Sequence, residues 1–175
     1  MIIRDARAAE VPRLRELDWD AGQVFRDIGM AEAAEFEPRT LAELADSQRA
    51  GLLWVAADEG DEPASFLMAV VLDGCLHVEQ LSTDPASARR GLGRALLDHA
   101  ADRARADGWP ALTLTTFADV PWNGPYYERC GFRVLGDAEL TPGLREVREH
   151  EIALGLDRWP RVCMRRDVTR ISAAG

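Results

Sequence analysis

ArgArgGlyLeuGlyArgAlaLeuLeu, residues 89–97, is the stretch on which the reading of this chain turns. Two glycines one residue apart, Gly91 and Gly93, stand where an apolar run gives way to a helical pattern. The leading N–H groups of a helix lack intrahelical acceptors, and the macrodipole adds roughly half a positive charge there, so such a turn holds phosphate on its backbone. Glycine admits an anion where a Cβ would stand in the way. The pattern alone does not discriminate, because helix starts also use glycine simply to turn the chain.

Working outward, the residues before the turn predict a strand over 75–83, preceded by AspGly at positions 73 and 74, a strong hairpin signal. Further upstream, 52–57 and 65–72 read as paired strands around a turn carrying Gly60 and Pro63. A helix is predicted over about 8–25, with Val11, Leu14 and Leu17 at helical spacing and Pro12 in its first turn. A second helix is predicted over 40–49, where Thr40 and Glu43 have capping-box spacing, and 29–38 reads as a polar, acidic connection. A short strand begins the chain at Ile2 and Ile3.

Downstream, Leu92, Leu96, Ala100 and Ala104 share one helical face, and Gly108 ends that run. A strand over 111–116, a short helix over 122–130, a strand over 132–135, a helix over 141–156 and a last strand over 161–166 follow, leaving a frayed tail at 169–175. The order predicts an α/β protein whose sheet is antiparallel at its beginning and parallel beside the glycine turn.

Composition bounds the function. With 175 residues, 47% hydrophobic and 29% charged, the chain has the size and mixture of one globular domain. A formal charge of -9 speaks against general nucleic-acid binding and favours a cationic partner. Cys75, Cys130 and Cys163 are far apart and odd in number, so reduced, buried thiols are expected rather than disulfides or a zinc site. Charges interrupt the N-terminal run, and no apolar stretch reaches membrane-span length, so a cytoplasmic protein without membrane attachment is expected, as monomer or homodimer. The glycine turn lacks the Lys-Ser/Thr end of a nucleotide-hydrolysing loop and the third glycine of a dinucleotide fingerprint.

Taken together, AspPro at 84 and 85, the glycine turn, the strand ending near Thr116 and the run AsnGlyProTyrTyrGluArgCysGlyPhe from Asn123 to Phe132 resemble the GNAT superfamily of acyl-coenzyme A dependent N-acetyltransferases. The resemblance covers roughly residues 76–135 and implies a single GNAT-like domain over 1–168, with a mixed sheet, antiparallel N-terminal hairpins, a parallel splayed central pair and flanking helices. The family's glycine motif, Q/RxxGxG/A, places its leading residue on Ala88, or on Arg90 if the frame shifts to Gly93 and Ala95. Either frame implies that Arg89, Arg90, Gly91, Leu92, Gly93, Arg94 and Ala95 cradle the pyrophosphate of acetyl-CoA, the cosubstrate; no metal is implied.

The resemblance also implies that Leu81, Ser82 and Thr83 offer backbone groups to the pantetheine arm. Tyr127 falls where the family protonates the departing thiolate; Tyr126 is the alternative for that role and is expected among the cofactor-binding residues, while being the more natural core residue of the two. A phenol with a pKa of about 10 suits that role, being protonated at neutral pH. Asn123 either contacts the cofactor arm or a bridging water, or only caps a helix. The amine must lose a proton to attack, and Glu79, two residues before Leu81, is the candidate base, with His77 on the same face as its rival. His99 and His150 read as surface residues of helices, while Trp19, Phe25, Phe36, Trp122 and Trp159 read as core rather than pocket.

Family acceptors are bound by segments that correspond here to 19–49 and 141–160, both acidic-leaning although arginines dilute the argument. Expected partners are therefore acetyl-CoA and an unidentified amine acceptor, a cationic one being compatible with these segments, with no nucleic acid. The rivals are a non-catalytic acyl-CoA-binding sensor or assembly module, and a transferase acting on aminoacyl-tRNA, against which the net acidity argues.

Overall fold

The computed structural model describes residues 1–168, so the expected tail at 169–175 lies outside the described residues. Strand β1 (Ile2–Asp5) leads through a 3-10 turn into α1 (Val11–Gly22), and further 3-10 turns reach a short α2 (Ala31–Ala34) and then α3 (Leu41–Arg49). Strands β2 (Leu53–Ala57), β3 (Pro63–Leu72) and β4 (Cys75–Thr83) follow, then α4 (Leu92–Ala106), β5 (Ala111–Phe117), α5 (Gly124–Arg129), β6 (Arg133–Val134), α6 (Pro142–Ala153) and β7 (Arg161–Asp167). The strands are ordered β1-β2-β3-β4-β5-β7-β6 in a seven-stranded mixed sheet. Pairs β1–β2, β2–β3, β5–β7 and β6–β7 are antiparallel. The parallel β4–β5 ladder joins Leu76 to Leu112 and His77 to Thr113. Beyond it β4 runs on to Thr83 and β5 to Phe117.

The described residues form two compact units: Met1–Val70 with Glu79–His99, and Val71–Val78 with residues 100–168. In the first, Ala6, Val11, Leu14, Leu17, Leu44, Leu53, Val55, Phe66 and Met68 make one core. Leu14 and Leu17 are 0% and 1% exposed, a burial that stabilises by about 2 kcal/mol for each side chain. Helix α3 starts as its sequence predicts: the Glu43 N–H donates to Thr40 Oγ1 at 3.1 Å and the Thr40 N–H donates to Glu43 Oε2 at 2.8 Å. Buried Ser47 ties the helix to the sheet by donating to the carbonyls of Leu52 and Ala69.

In the second unit β5 and β7 pair along their whole lengths, from Ala111↔Asp167 to Phe117↔Arg161. Leu135, Leu144 and Cys163 form a core, with Leu72 and Leu140 packed against it. The AspGly turn before β4 has positive φ at both residues, 49° and 74°, as its hairpin signal predicted. Asp73 also serves α6: its Oδ2 accepts from the Gly143 N–H at 2.8 Å, while the N-cap residue Thr141 makes no side-chain capping bond.

Several expectations are corrected. The connection over 29–38 contains α2, and β6 has two residues because only Arg133 and Val134 pair with β7. Trp19 and Trp122 are 39% and 38% exposed, and Phe25, Phe36 and Trp159 are only partly buried; the buried aromatics among the described residues are Trp54, Phe66, Phe117, Tyr127 and Phe132. His99 is half-buried, its ring meeting Trp54 edge to face at 5.4 Å. All three cysteines are buried and free. Among the described residues no helix is long and apolar enough to cross a membrane.

Candidate functional site

The cradle residues 89–95, together with Glu79 and Leu81–Thr83, belong to the first unit. The chain leaves β4 through Asp84, whose Oδ1 accepts from the Ala86 N–H, and makes a 3-10 turn over Pro85–Ser87. Left-handed backbone then occurs at Arg89 (φ 63°) and Gly91 (φ 78°). Gly91 has its sequence reason there, since a left-handed φ strains any residue with a Cβ. The first helical bond runs from the Ala95 N–H to the Gly91 carbonyl at 3.0 Å. By helix geometry the N–H groups of Leu92, Gly93 and Arg94 precede that bond and remain available to an anion. Open space surrounds the Cβ position of Gly91, Arg89 and Arg90 are exposed, and Arg94 lies 4.0 Å from Asp98. Ala88 brings no polar side-chain group to the turn.

At the end of β4 the main chain is sorted by edge. The Ser82 carbonyl accepts from Ser65 Oγ at 2.8 Å, and the Asp84 N–H donates to the Ala64 carbonyl at 2.9 Å, so both residues turn their polar backbone toward β3. Successive residues alternate between the edges of a strand, which puts the N–H and C=O groups of Leu81 and Thr83 on the opposite edge. Those two residues are the ones with backbone to offer. The Ser82 side chain is 3% exposed and donates to Asp18 Oδ1 at 2.6 Å.

Asp18, on α1 and 7% exposed, also accepts from the Arg39 N–H at 2.9 Å through Oδ2. Burial pushes its carboxyl above the ordinary range, and the bonds from Ser82 and the Arg39 amide only partly oppose that. The Arg39 guanidinium returns to β4: Nη2 donates to the Glu79 carbonyl at 3.0 Å, and Nη1 lies 3.9 Å from Glu79 Oε2. In the sequence Arg39 is one of the arginines that dilute the acidity of 19–49, and Asp18 borders that segment. The signal for Asp18 was present, since a carboxylate follows Leu14 by four residues on the buried stripe of α1. Arg39 had no such signal.

Asn123, Tyr126, Tyr127 and His77 belong to the second unit. Helix α5 begins where the backbone approaches itself closely: a Cβ on Gly124 would lie 2.4 Å from the Ala118 carbonyl oxygen, so only glycine fits. Asn123 occupies the N-cap position without a capping bond from its side chain, and its Oδ1 is buried with no hydrogen-bond partner. The cap role is thereby corrected, and the orphaned acceptor fits an amide donor such as those of a pantetheine arm.

Tyr127 is the buried member of the tyrosine pair, at 8% exposure, and Tyr126 is only partly buried, the reverse of the expectation. The Tyr127 ring meets Phe132 at 5.7 Å and Tyr126 at 5.5 Å, both edge to face. Burial pushes its phenol well above the ordinary value of 10, so it holds its proton at neutral pH. His77 is 3% exposed, with Nδ1 2.9 Å from Thr113 Oγ1.

Near the end of β5, Glu151 of α6 is 7% exposed and accepts from Arg161 Nε at 2.5 Å, from Arg148 Nη1 at 2.6 Å and from Thr115 Oγ1. Burial pushes this carboxyl up, but the Arg161 guanidinium and its companions prevail and hold it below the ordinary range. Arg161 in turn lies over the Phe117 ring at 4.6 Å. Cys163 is pushed up to about 11 by burial, which makes it a poor nucleophile at neutral pH. Among the described residues no group of His, Cys, Asp and Glu is placed to hold a metal ion.

A family model described as acetyltransferase (GNAT) family matches residues 11–132. The peptidyl-lysine N-acetyltransferase YjaB of Escherichia coli (strain K12) is 34% identical over 88 residues, 50% of this chain and 54% of that protein. The chain thus spans about half the length of the curated relatives it matches. Among solved structures, the PaiA N-acetyltransferase from Thermoplasma acidophilum in complex with coenzyme A is similar with a TM-score of 0.72 at 14% identity, covering 95% of this chain and 98% of that one. The ribosomal-protein-S18-alanine N-acetyltransferase from Escherichia coli gives 0.69 at 20% identity, covering 99% and 97%. These two likenesses are of fold.

Proposed function

The chain belongs to the acetyltransferase (GNAT) family, and on that premise we propose that it moves an acetyl group from acetyl-CoA to a primary amine by direct attack in a ternary complex. Residues 1–168 are taken as the acetyltransferase domain. The observation that carries this reading is the Gly91 turn, whose left-handed backbone opens the first turn of the 15-residue α4 to an anion. The buried, partnerless Asn123 Oδ1 is a second point in its favour.

Acetyl-CoA supplies an activated acyl group, and the chain's residues bind it, orient it and move protons. The cradle 89–95 holds the pyrophosphate on backbone N–H groups, and the outward-turned backbone of Leu81 and Thr83 takes the pantetheine arm. Glu79 accepts the amine proton through water. It is half-buried beside Arg39, whereas His77 is almost fully enclosed against Thr113, which favours Glu79 as the base. Tyr127 donates its proton to the departing sulfur; a phenol held neutral by burial is suited to that step.

A groove of about 480 Å³ in the first unit, lined by Arg15, Glu16, Trp19, Asp20, Glu37 and Pro38, supports a cationic acceptor. Its carboxylates outnumber its guanidinium, and an exposed indole attracts cations. The peptidyl-lysine named for YjaB is an amine of that class, so a lysine side chain heads the panel of acceptors.

Thiol release measured over such a panel tests the reading. Turnover with at least one amine, lowered about 100-fold or more in Tyr127→Phe, is expected. Binding of acetyl-CoA without turnover for every amine would instead establish the non-catalytic binding module. For the base, Glu79→Gln lowers the rate most at low pH, where free amine is scarce; an unchanged pH–rate profile removes Glu79 from the role.

A further inference from the structure

We infer that Arg39 is a positioning residue for Glu79, a guanidinium strap that fixes both the main chain and the carboxylate of the proposed base. The inference rests on the reading of Glu79 as proton acceptor. Four residues form a closed circuit. Ser82 on β4 donates its hydroxyl to Asp18 on α1, Asp18 accepts the main-chain N–H of Arg39, and the Arg39 side chain donates back to β4 at the Glu79 carbonyl. The circuit begins and ends on one strand, three residues apart. Gln80 Nε2 closes it further by donating to Ser82 Oγ at 3.0 Å.

The geometry assigns Arg39 more than a surface ion pair. Its guanidinium is 31% exposed and the Glu79 side chain 26%, so their attraction at 3.9 Å adds little to folding. The contribution is orientational. A planar guanidinium with Nη2 on the Glu79 carbonyl and Nη1 3.4 Å from Glu43 Oε1 has little freedom left, and Nη1 then stands 3.9 Å from Glu79 Oε2. Glu43 is held in turn by the Thr40 capping box, which fixes the far side of the strap. The Glu79 carboxylate is thereby restricted before any amine arrives. A general base gains from that restriction, because displacement of a reacting group by about 1 Å costs on the order of 100-fold in rate.

The experiment compares Arg39→Ala, Glu79→Gln and the double variant in acetyl transfer, with melting temperature and the KM for acetyl-CoA followed alongside. Arg39→Ala should lower kcat about 10- to 100-fold with the KM for acetyl-CoA unchanged. Millimolar guanidinium should restore part of the loss, and Arg39→Lys should fall between wild type and Arg39→Ala. In the Glu79→Gln background, loss of Arg39 should change kcat by less than about 2-fold, because residues that act as a unit are not additive.

A wild-type kcat for Arg39→Ala beside a slow Glu79→Gln overturns the strap and leaves the base standing. A wild-type rate for Glu79→Gln removes the base, and the strap with it. Fully additive losses, or a slow Arg39→Ala that guanidinium does not rescue, show that Arg39 only supports the fold. Should Arg39→Ala fail to fold, Arg39→Lys carries the same comparison, its ammonium replacing a two-edged contact with a single one.

Discussion

Asp18 in the first unit and Glu151 in the second are buried to the same extent, 7% exposed each, yet their carboxyls move in opposite directions. Asp18 accepts from a serine hydroxyl and a backbone amide, both neutral. Glu151 accepts from two guanidiniums and a threonine hydroxyl. Burial raises both, and only the charged donors overcome it. Enclosure therefore does not decide whether a carboxylate is a liability or a fastener; the charge of its donors does.

The largest expected effect is at Glu151. Glu151→Ala strands Arg161, whose side chain is 10% exposed, and breaking a buried pair in this way costs about 3–5 kcal/mol of unfolding free energy. Urea denaturation measures it, and a loss below about 1 kcal/mol would mean that Glu151 fastens the fold no more than an exposed ion pair does. Next comes Phe117→Leu, which removes the ring under Arg161 and should cost about 2 kcal/mol in the same assay. Asp18→Asn should cost only about 1 kcal/mol, because an amide keeps the shape and one acceptor while shedding a buried charge.

The smallest effect is the most diagnostic. Glu151 is held below its ordinary value of 4.5, so its stabilisation is present above that pH and is lost as pH falls through the lower folded value. Asp18 stands above its ordinary value of 3.8, so the folded state is penalised as pH rises from 3.8 through the raised folded value. In denaturation series across the acid range, the deficit of Glu151→Gln relative to wild type should grow with pH. That of Asp18→Asn should shrink. Parallel curves would mean that the two carboxylates have the same kind of environment after all.

How much of this was legible in the sequence depends on the distance between partners. The capping box of Thr40 and Glu43, the AspGly hairpin and the helix opened by the glycine turn are local, and each lies where the residues predicted. Asp18 with Ser82 and Thr115 with Glu151 are 64 and 36 residues apart, and no periodicity within one element encodes them. The tyrosines show the same limit in reverse. Their adjacency hides which one is enclosed, because burial is decided by Phe132 and the turn of α5 rather than by the TyrTyr dipeptide. Asn123 stood where a cap was expected, and only the structure shows its oxygen without a donor. The exposed Trp19 fooled composition, since large aromatics are core residues more often than not.

Strand β4 passes without interruption from one compact unit into the other between Val78 and Glu79. Inserting or deleting one residue at that junction would rotate everything beyond it by half a turn, exchanging Glu79 with a neighbour and carrying the Ser82 hydroxyl away from Asp18. A residue added to a surface connection leaves that register untouched, whereas one added within β4 shifts it.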